Sequence, residues 1–222
     1  MSVSNNLVTI RTNIPSNVKL VCVTKFHSDD TIMEAYNVGE RIFGESRVQE
    51  LIEKHERLPS DIHWHFIGHL QTNKVKYIAP FVELIHGVDS IKLLNEIDKQ
   101  ALKNNKIINC LLQVHIADEE TKFGFSPDEI MNLFQTNNLD NYPNIKICGL
   151  MGMATFTEDI QQVKEEFKSL KSLFEKIKLD FLADDVDFKE ISMGMSDDYK
   201  IAIEEGSTMV RIGSSIFGLR EY

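Results

Sequence analysis

Cysteine, tryptophan and proline are scarce here, at three, one and five residues among 222. Cys22, Cys110 and Cys148 are odd in number, far apart, and each inside an apolar β-like run. That pattern suits reduced core thiols; a metal centre would want closer spacing. No apolar run approaches the length of a membrane span, and the N-terminus lacks the charged-then-apolar layout of a signal peptide. Cationic charge is also short. The net charge of -10 gives no field to draw the chain to nucleic acid or anionic lipid. No low-complexity stretch, Pro/Ser-rich linker or clean repeat divides the chain. These absences predict a cytoplasmic protein with no membrane or nucleic-acid partner.

What is present is alternation of short β-branched runs with longer amphipathic ones, the mark of βα units on a parallel sheet. Residues 1–17 are polar and contain Pro15, so residues 1–19 are expected to be a lead-in of indefinite structure. The barrel itself is expected over 20–222. Strands are predicted at Leu20 to Lys25, Arg41 to Gly44, His63 to Ile67, Val82 to Gly87 and Ile107 to His115. Three more are predicted at Ile145 to Leu150, Phe188 to Ser192 and Ser207 to Arg211. Helices are predicted between them, among them Thr72 to Ala79, Ser90 to Asn104, Pro127 to Thr136 and about Glu158 to Lys178. Eight such units without a Gly-rich dinucleotide turn point to an α/β fold, a single-domain (β/α)8 TIM-type barrel, ahead of an open doubly wound sheet.

The chemistry is expected at the strand ends. Val21, Val23 and Lys25 share a face by period-two alternation, which places Lys25 at the barrel mouth. Two readings of Lys25 stay open. Desolvation would lower its pKa and make a nucleophilic amine; alternatively its stem is buried and its head reaches water. Late in the chain, Ser192-Met193-Gly194-Met195-Ser196 and Arg211-Ile212-Gly213-Ser214 are small-residue turns before short helices. Such turns after strands 7 and 8 frequently hold a phosphate. Arg211 could bind that phosphate, donate to a heterocycle nitrogen, or pair with Glu45 or Glu190.

His63, His65 and His69 invite a metal reading, but no carboxylate is interleaved, so hydrogen-bonded packing is the better expectation. Lys122, beside Glu119 and Glu120, reads as a solvated ion pair. Asp184, Asp185 and Asp187 read as a solvated turn.

Six blocks in register carry a resemblance: Val23-Thr24-Lys25; Phe43-Gly44-Glu45; His65-Phe66-Ile67-Gly68-His69-Leu70-Gln71-Thr72-Asn73-Lys74; Gly149-Leu150-Met151; Ser192 to Ser196; and Arg211-Ile212-Gly213. From about Leu20 onward the chain resembles the pyridoxal phosphate homeostasis proteins, single-domain relatives of the alanine racemase barrel. The resemblance implies pyridoxal 5′-phosphate held as an internal aldimine on Lys25. It implies a phosphate held by Ser196, Gly213 and Ser214, with Arg211 facing the pyridine nitrogen. Met195 and Ser46 complete the expected cofactor contacts. Ser46 and Arg47 stand where the family commonly has Asn-Tyr.

An arginine at the ring nitrogen keeps that nitrogen unprotonated and weakens the ring as an electron sink. Racemisation also needs proton carriers on both faces of a planar intermediate. Tyr199 is the tyrosine nearest the cofactor blocks. The sequence therefore predicts a monomeric carrier that supplies the cofactor to pyridoxal-phosphate-dependent apoenzymes. An amino-acid racemase of low activity is the alternative, and a phosphate-sugar enzyme of ordinary barrel type a third.

Overall fold

The computed structural model describes residues 2–118, 123–136 and 138–218. Eight parallel strands close into a barrel in sequence order, so each strand pairs with its chain neighbours and the last pairs with the first. They are β1 (Lys19–Val23), β2 (Ile42–Glu45), β3 (His63–Phe66) and β4 (Leu84–Val88). The second half holds β5 (Ile108–Gln113), β6 (Ile145–Met151), β7 (Glu190–Ser192) and β8 (Met209–Ile212). The expected barrel is the observed one, with strand limits shifted by a few residues.

Helices α1 (Val3–Asn13), α2 (Asp29–Asn37), α3 (Val48–Arg57), α4 (Val75–Ile78) and α5 (Ile91–Lys103) pack outside it. They continue with α6 (Pro127–Gln135), α7 (Ile160–Phe181), α8 (Tyr199–Glu204) and α9 (Ser214–Phe217). The helix predicted over Thr72 to Ala79 is split. Thr72–Lys74 is a 3-10 turn that runs into α4.

The expected lead-in differs most from the structure. Residues 3–13 form α1, capped by the Ser2 hydroxyl accepting from the Asn5 N–H at 3.3 Å. Val3, Leu7 and Ile10 recur at helical spacing and are buried in the main core. Asn6 Nδ2 donates to the Ile216 carbonyl at 2.8 Å, and Arg11 pairs with Glu40. The N-terminal helix thus seals the seam where β1 meets β8.

The core has two compartments. A large one lies between strands and helices and includes Cys22, Phe43, Trp64, Phe66 and Phe167. A small one fills the barrel itself with Val21, Leu84, Leu111, Met151 and Met209. Alternation along the strands feeds both: Val21 points in and Cys22 out, as do Met209 and Val210. Cys22 and Cys110 are buried free thiols and Cys148 is partly buried. Glycine is demanded where β5 and β6 slip register: Gly149 has φ +152, and a Cβ there would sit 1.8 Å from the Glu190 carbonyl oxygen.

Candidate functional site

Lys25 follows β1 at the C-terminal rim and is partly buried. The turn it occupies is strained and tied down. Phe26, the next residue, has φ +68, a left-handed conformation uncommon outside glycine. Its N–H donates to Glu50 Oε2 at 3.0 Å, and the Arg47 guanidinium lies 4.2 Å over its ring. Below the turn, Lys54 Nζ donates to the Thr24 carbonyl at 2.8 Å and to Glu45 Oε2 at 2.6 Å. The Lys54–Glu45 pair is almost fully enclosed, with side-chain exposures of 5% and 0%. Burial pushes the Glu45 carboxyl up, against the pull of Lys54 and of the Ser46 N–H that donates at 2.8 Å. An enclosed ion pair therefore pins the carbonyl immediately before Lys25.

Arg211 reaches into the barrel from β8 and is buried. Its Nη1 donates to Ser192 Oγ at 2.6 Å and its Nη2 to the Gly152 carbonyl at 3.2 Å. Neither Glu45 nor Glu190 neutralises it: Glu45 is paired with Lys54, and Glu190 with Lys19 at 2.6 Å. No carboxylate among the described residues comes within ion-pair distance. Burial lowers its pKa to about 10, and Asp198 opposes that. A guanidinium enclosed without a counter-ion is costly unless something else satisfies it.

From Ser192 a polar chain runs along the barrel interior. His86 Nδ1 lies 2.9 Å from Ser192 Oγ, and His86 Nε2 lies 3.0 Å from His65 Nδ1. Burial depresses both imidazoles, His65 to about 3 and His86 well below its ordinary value. The folded chain keeps these rings neutral, whereas the unfolded chain protonates them below about 6.5. Stability is thus complete above that pH and falls as pH drops towards about 3 for His65. The expected slope is roughly 1.4 kcal/mol per pH unit for each ring. Urea midpoints of His65→Gln measured from pH 7 to pH 5 should fall less steeply than those of the wild type; equal slopes would place the titration elsewhere.

The two late turns meet at the rim. Gly194, at φ +95, lets the chain reverse after β7; a Cβ there would press to 2.6 Å from that of Ala202. Its carbonyl accepts from the Arg211 N–H at 3.0 Å. The Gly213 N–H donates to Ser196 Oγ at 3.3 Å, and a Cβ on Gly213 would lie 3.2 Å from the Val23 carbonyl oxygen. Gly213 therefore brings the second turn against β1, two residues before Lys25. Ser214 is exposed and opens α9.

Ser46 and Met195 are less closely joined to this group. Ser46 is held against Gly68, where a Cβ would come 2.5 Å from the Ser46 carbonyl oxygen, and lines a separate cavity of about 470 Å³ with Tyr77 and His69. Met195 is 40% exposed and borders a cavity of about 230 Å³ with Phe156 and Asp198. Its N–H donates to Asp198 Oδ1 at 2.5 Å, while burial pushes the Asp198 carboxyl up.

His63, His65 and His69 do not converge: His65 bonds to His86, while His69 Nδ1 pairs with Asp89 at 2.8 Å. Tyr199 is buried in the outer core, away from the barrel interior. Asp187 pairs with Lys146 at 2.7 Å. Lys122 lies outside the described residues. Sequence reading missed His86, Lys54 and Asp198. Only His86 left a signal, its even spacing from Leu84 on a strand otherwise apolar.

The chain matches the family described as alanine racemase, N-terminal domain, over residues 2–221. It is 42% identical over 205 residues to the pyridoxal phosphate homeostasis protein of Aquifex aeolicus, covering 92% of this chain and 88% of that one. The human protein of the same name is 39% identical over 216 residues, covering 92% and 77%. Among solved structures, PipY of Synechococcus elongatus PCC7942 with PLP bound superposes with a TM-score of 0.87 at 31% identity, covering 98% of this chain and all of that one. An alanine racemase of Clostridium difficile shares the fold at TM-score 0.76 and 15% identity; the match spans 55% of it. With its barrel, its motif blocks in register and relatives matched along most of their length, the chain belongs to the pyridoxal phosphate homeostasis protein family.

Proposed function

We propose that this chain binds pyridoxal 5′-phosphate reversibly, with its aldehyde carbon on the Lys25 amine, and buffers it for pyridoxal-phosphate-dependent apoenzymes. When bound, the cofactor supplies an aldehyde open to amines and an electron-withdrawing ring. One observation carries the reading: Arg211 is an enclosed guanidinium without a carboxylate partner among the described residues, on the strand that pairs with the one leading to Lys25. The donor set fits the group. Ser196, Gly213 and Ser214 offer hydroxyl and amide donors to a phosphate at the rim. Ser46 and Met195, on the same rim, would add the outer contacts, although each lines a cavity of its own. Arg211 holds its own proton at any working pH, so a ring nitrogen facing it stays an acceptor.

The carrier reading is favoured over a racemase because Tyr199 lies in the outer core rather than over the mouth, which leaves Lys25 without that second proton carrier. Incubation with single-enantiomer alanine or serine in deuterated water tests the choice. The carrier reading expects no sustained α-proton exchange; sustained exchange would establish the racemase alternative. The phosphate placement has its own test. Ser196→Ala or Ser214→Ala removes a hydrogen bond to a charged acceptor, about 1.5–3 kcal/mol. Each should raise the cofactor dissociation constant by roughly ten-fold or more. Unchanged constants would move the phosphate elsewhere.

A further inference from the structure

The opposite end of the barrel, where the strands begin, holds an open cavity of about 450 Å³ that none of the cofactor contacts enters. Its floor is polar in an ordered way. Arg211 can only donate, so Ser192 Oγ accepts from it. Among the described residues, His86 Nδ1 is the acceptor offered to the Ser192 hydroxyl proton. Reversing that bond would strand a buried O–H, at about 1–3 kcal/mol. His86 therefore carries its proton on Nε2 and donates it to His65 Nδ1. His65, with that nitrogen occupied, carries its own proton on Nε2. It is 4% exposed, lines the cavity, and has no partner for that N–H among the described residues. A permanent donor at one end of the barrel thus delivers an unspent donor at the other.

The charges around this donor balance. Lys19, Lys146 and Lys189 face Glu83, Asp187 and Glu190. Lys19 pairs with Glu190 and Lys146 with Asp187. Lys189 and Glu83 remain, with no ion pair among the described residues. Ile42, Leu84 and Met209 give the same cavity an apolar wall.

We propose that this cavity is a second binding site, for a free amino acid with an aliphatic side chain. Its carboxylate accepts from His65 Nε2–H and meets Lys189, its ammonium faces Glu83, and its side chain lies on Ile42, Leu84 and Met209. A simple anion leaves Glu83 opposed, and a simple cation leaves the His65 donor and Lys189 unused; a zwitterion satisfies all three.

The test uses the full chain with 15N-labelled histidine and reads the ring nitrogens of His65 during titration with L-valine. Assignment comes from the signal lost in His65→Gln. The expected result is an Nε2-protonated His65 whose resonances shift saturably with L-valine. 3-Methylbutanoate and 2-methylpropylamine, each lacking one charged group, should give no saturation over the same range. Lys189→Ala and Glu83→Gln should each weaken L-valine about ten-fold or more without lowering the melting temperature. Lys25→Ala should leave the titration unchanged, because the site is independent of the cofactor. The proposal is overturned if His65 is protonated on Nδ1, or if L-valine leaves it unshifted. It is equally overturned if either single-charge analogue matches L-valine, or if the shift disappears in Lys25→Ala.

Discussion

Lys25→Ala should abolish covalent retention of pyridoxal 5′-phosphate while leaving the barrel folded. The purified variant is expected to be colourless after gel filtration, with a thermal transition close to that of the wild type. Lys25 sits beyond the last residue of β1, so it contributes neither to the strand ladder nor to the enclosed cores. Its neighbours Thr24 and Phe26 are fixed through backbone groups, by Lys54 and Glu50, and those bonds survive the substitution. The phosphate contacts proposed for Ser196, Gly213 and Ser214 do not involve Lys25, so weak non-covalent binding should persist. A variant that kept the cofactor through gel filtration as firmly as the wild type would remove Lys25 from its proposed role.

The second large effect is on stability. Lys54→Met should cost about 3–5 kcal/mol, the usual consequence of leaving a buried charge without its partner. Glu45 has no exposed side-chain surface and, among the described residues, would keep Thr24 Oγ1 and the Ser46 N–H as its donors. Against a typical total of 5–15 kcal/mol this is a large fraction, visible as a lower urea midpoint. Glu45→Gln introduced with Lys54→Met should recover part of the loss, because a neutral amide needs no counter-ion. Equal midpoints for Lys54→Met and wild type would show that the pair is solvated in solution. Because Lys54 also holds the Thr24 carbonyl, the same variant should loosen the turn that presents Lys25.

Much of the barrel was legible because its strands are β-branched and its helices amphipathic, and those periods survive any error in limits. The lead-in was not. In α1 the apolar residues at helical spacing are diluted by Asn and Thr, poor helix formers, and the helix owes its stability to contacts with α9 and α2, the helices that follow the paired strands β8 and β1. The meeting of the two small-residue turns was legible: the Gly213 N–H donates to Ser196 Oγ and the Arg211 N–H to the Gly194 carbonyl. Ser46 and Met195 are on the rim too, but each borders a different cavity. The supporting groups were silent. Lys54 shares its helix face with Leu51 and Leu58, both buried, but a lysine at that spacing ordinarily buries its stem and keeps its head in water. The Ser192–His86–His65 chain joins residues from β7, β4 and β3, a juxtaposition created only when the barrel closes.

Borohydride reduction decides whether Lys25 carries the cofactor. The purified protein is reduced, digested, and the lysine bearing the pyridoxyl group located by mass. Loss of the visible band on reduction and a single modified peptide containing Lys25 are expected. A modified lysine at any other position, or a visible band that borohydride leaves intact, would contradict that role for Lys25.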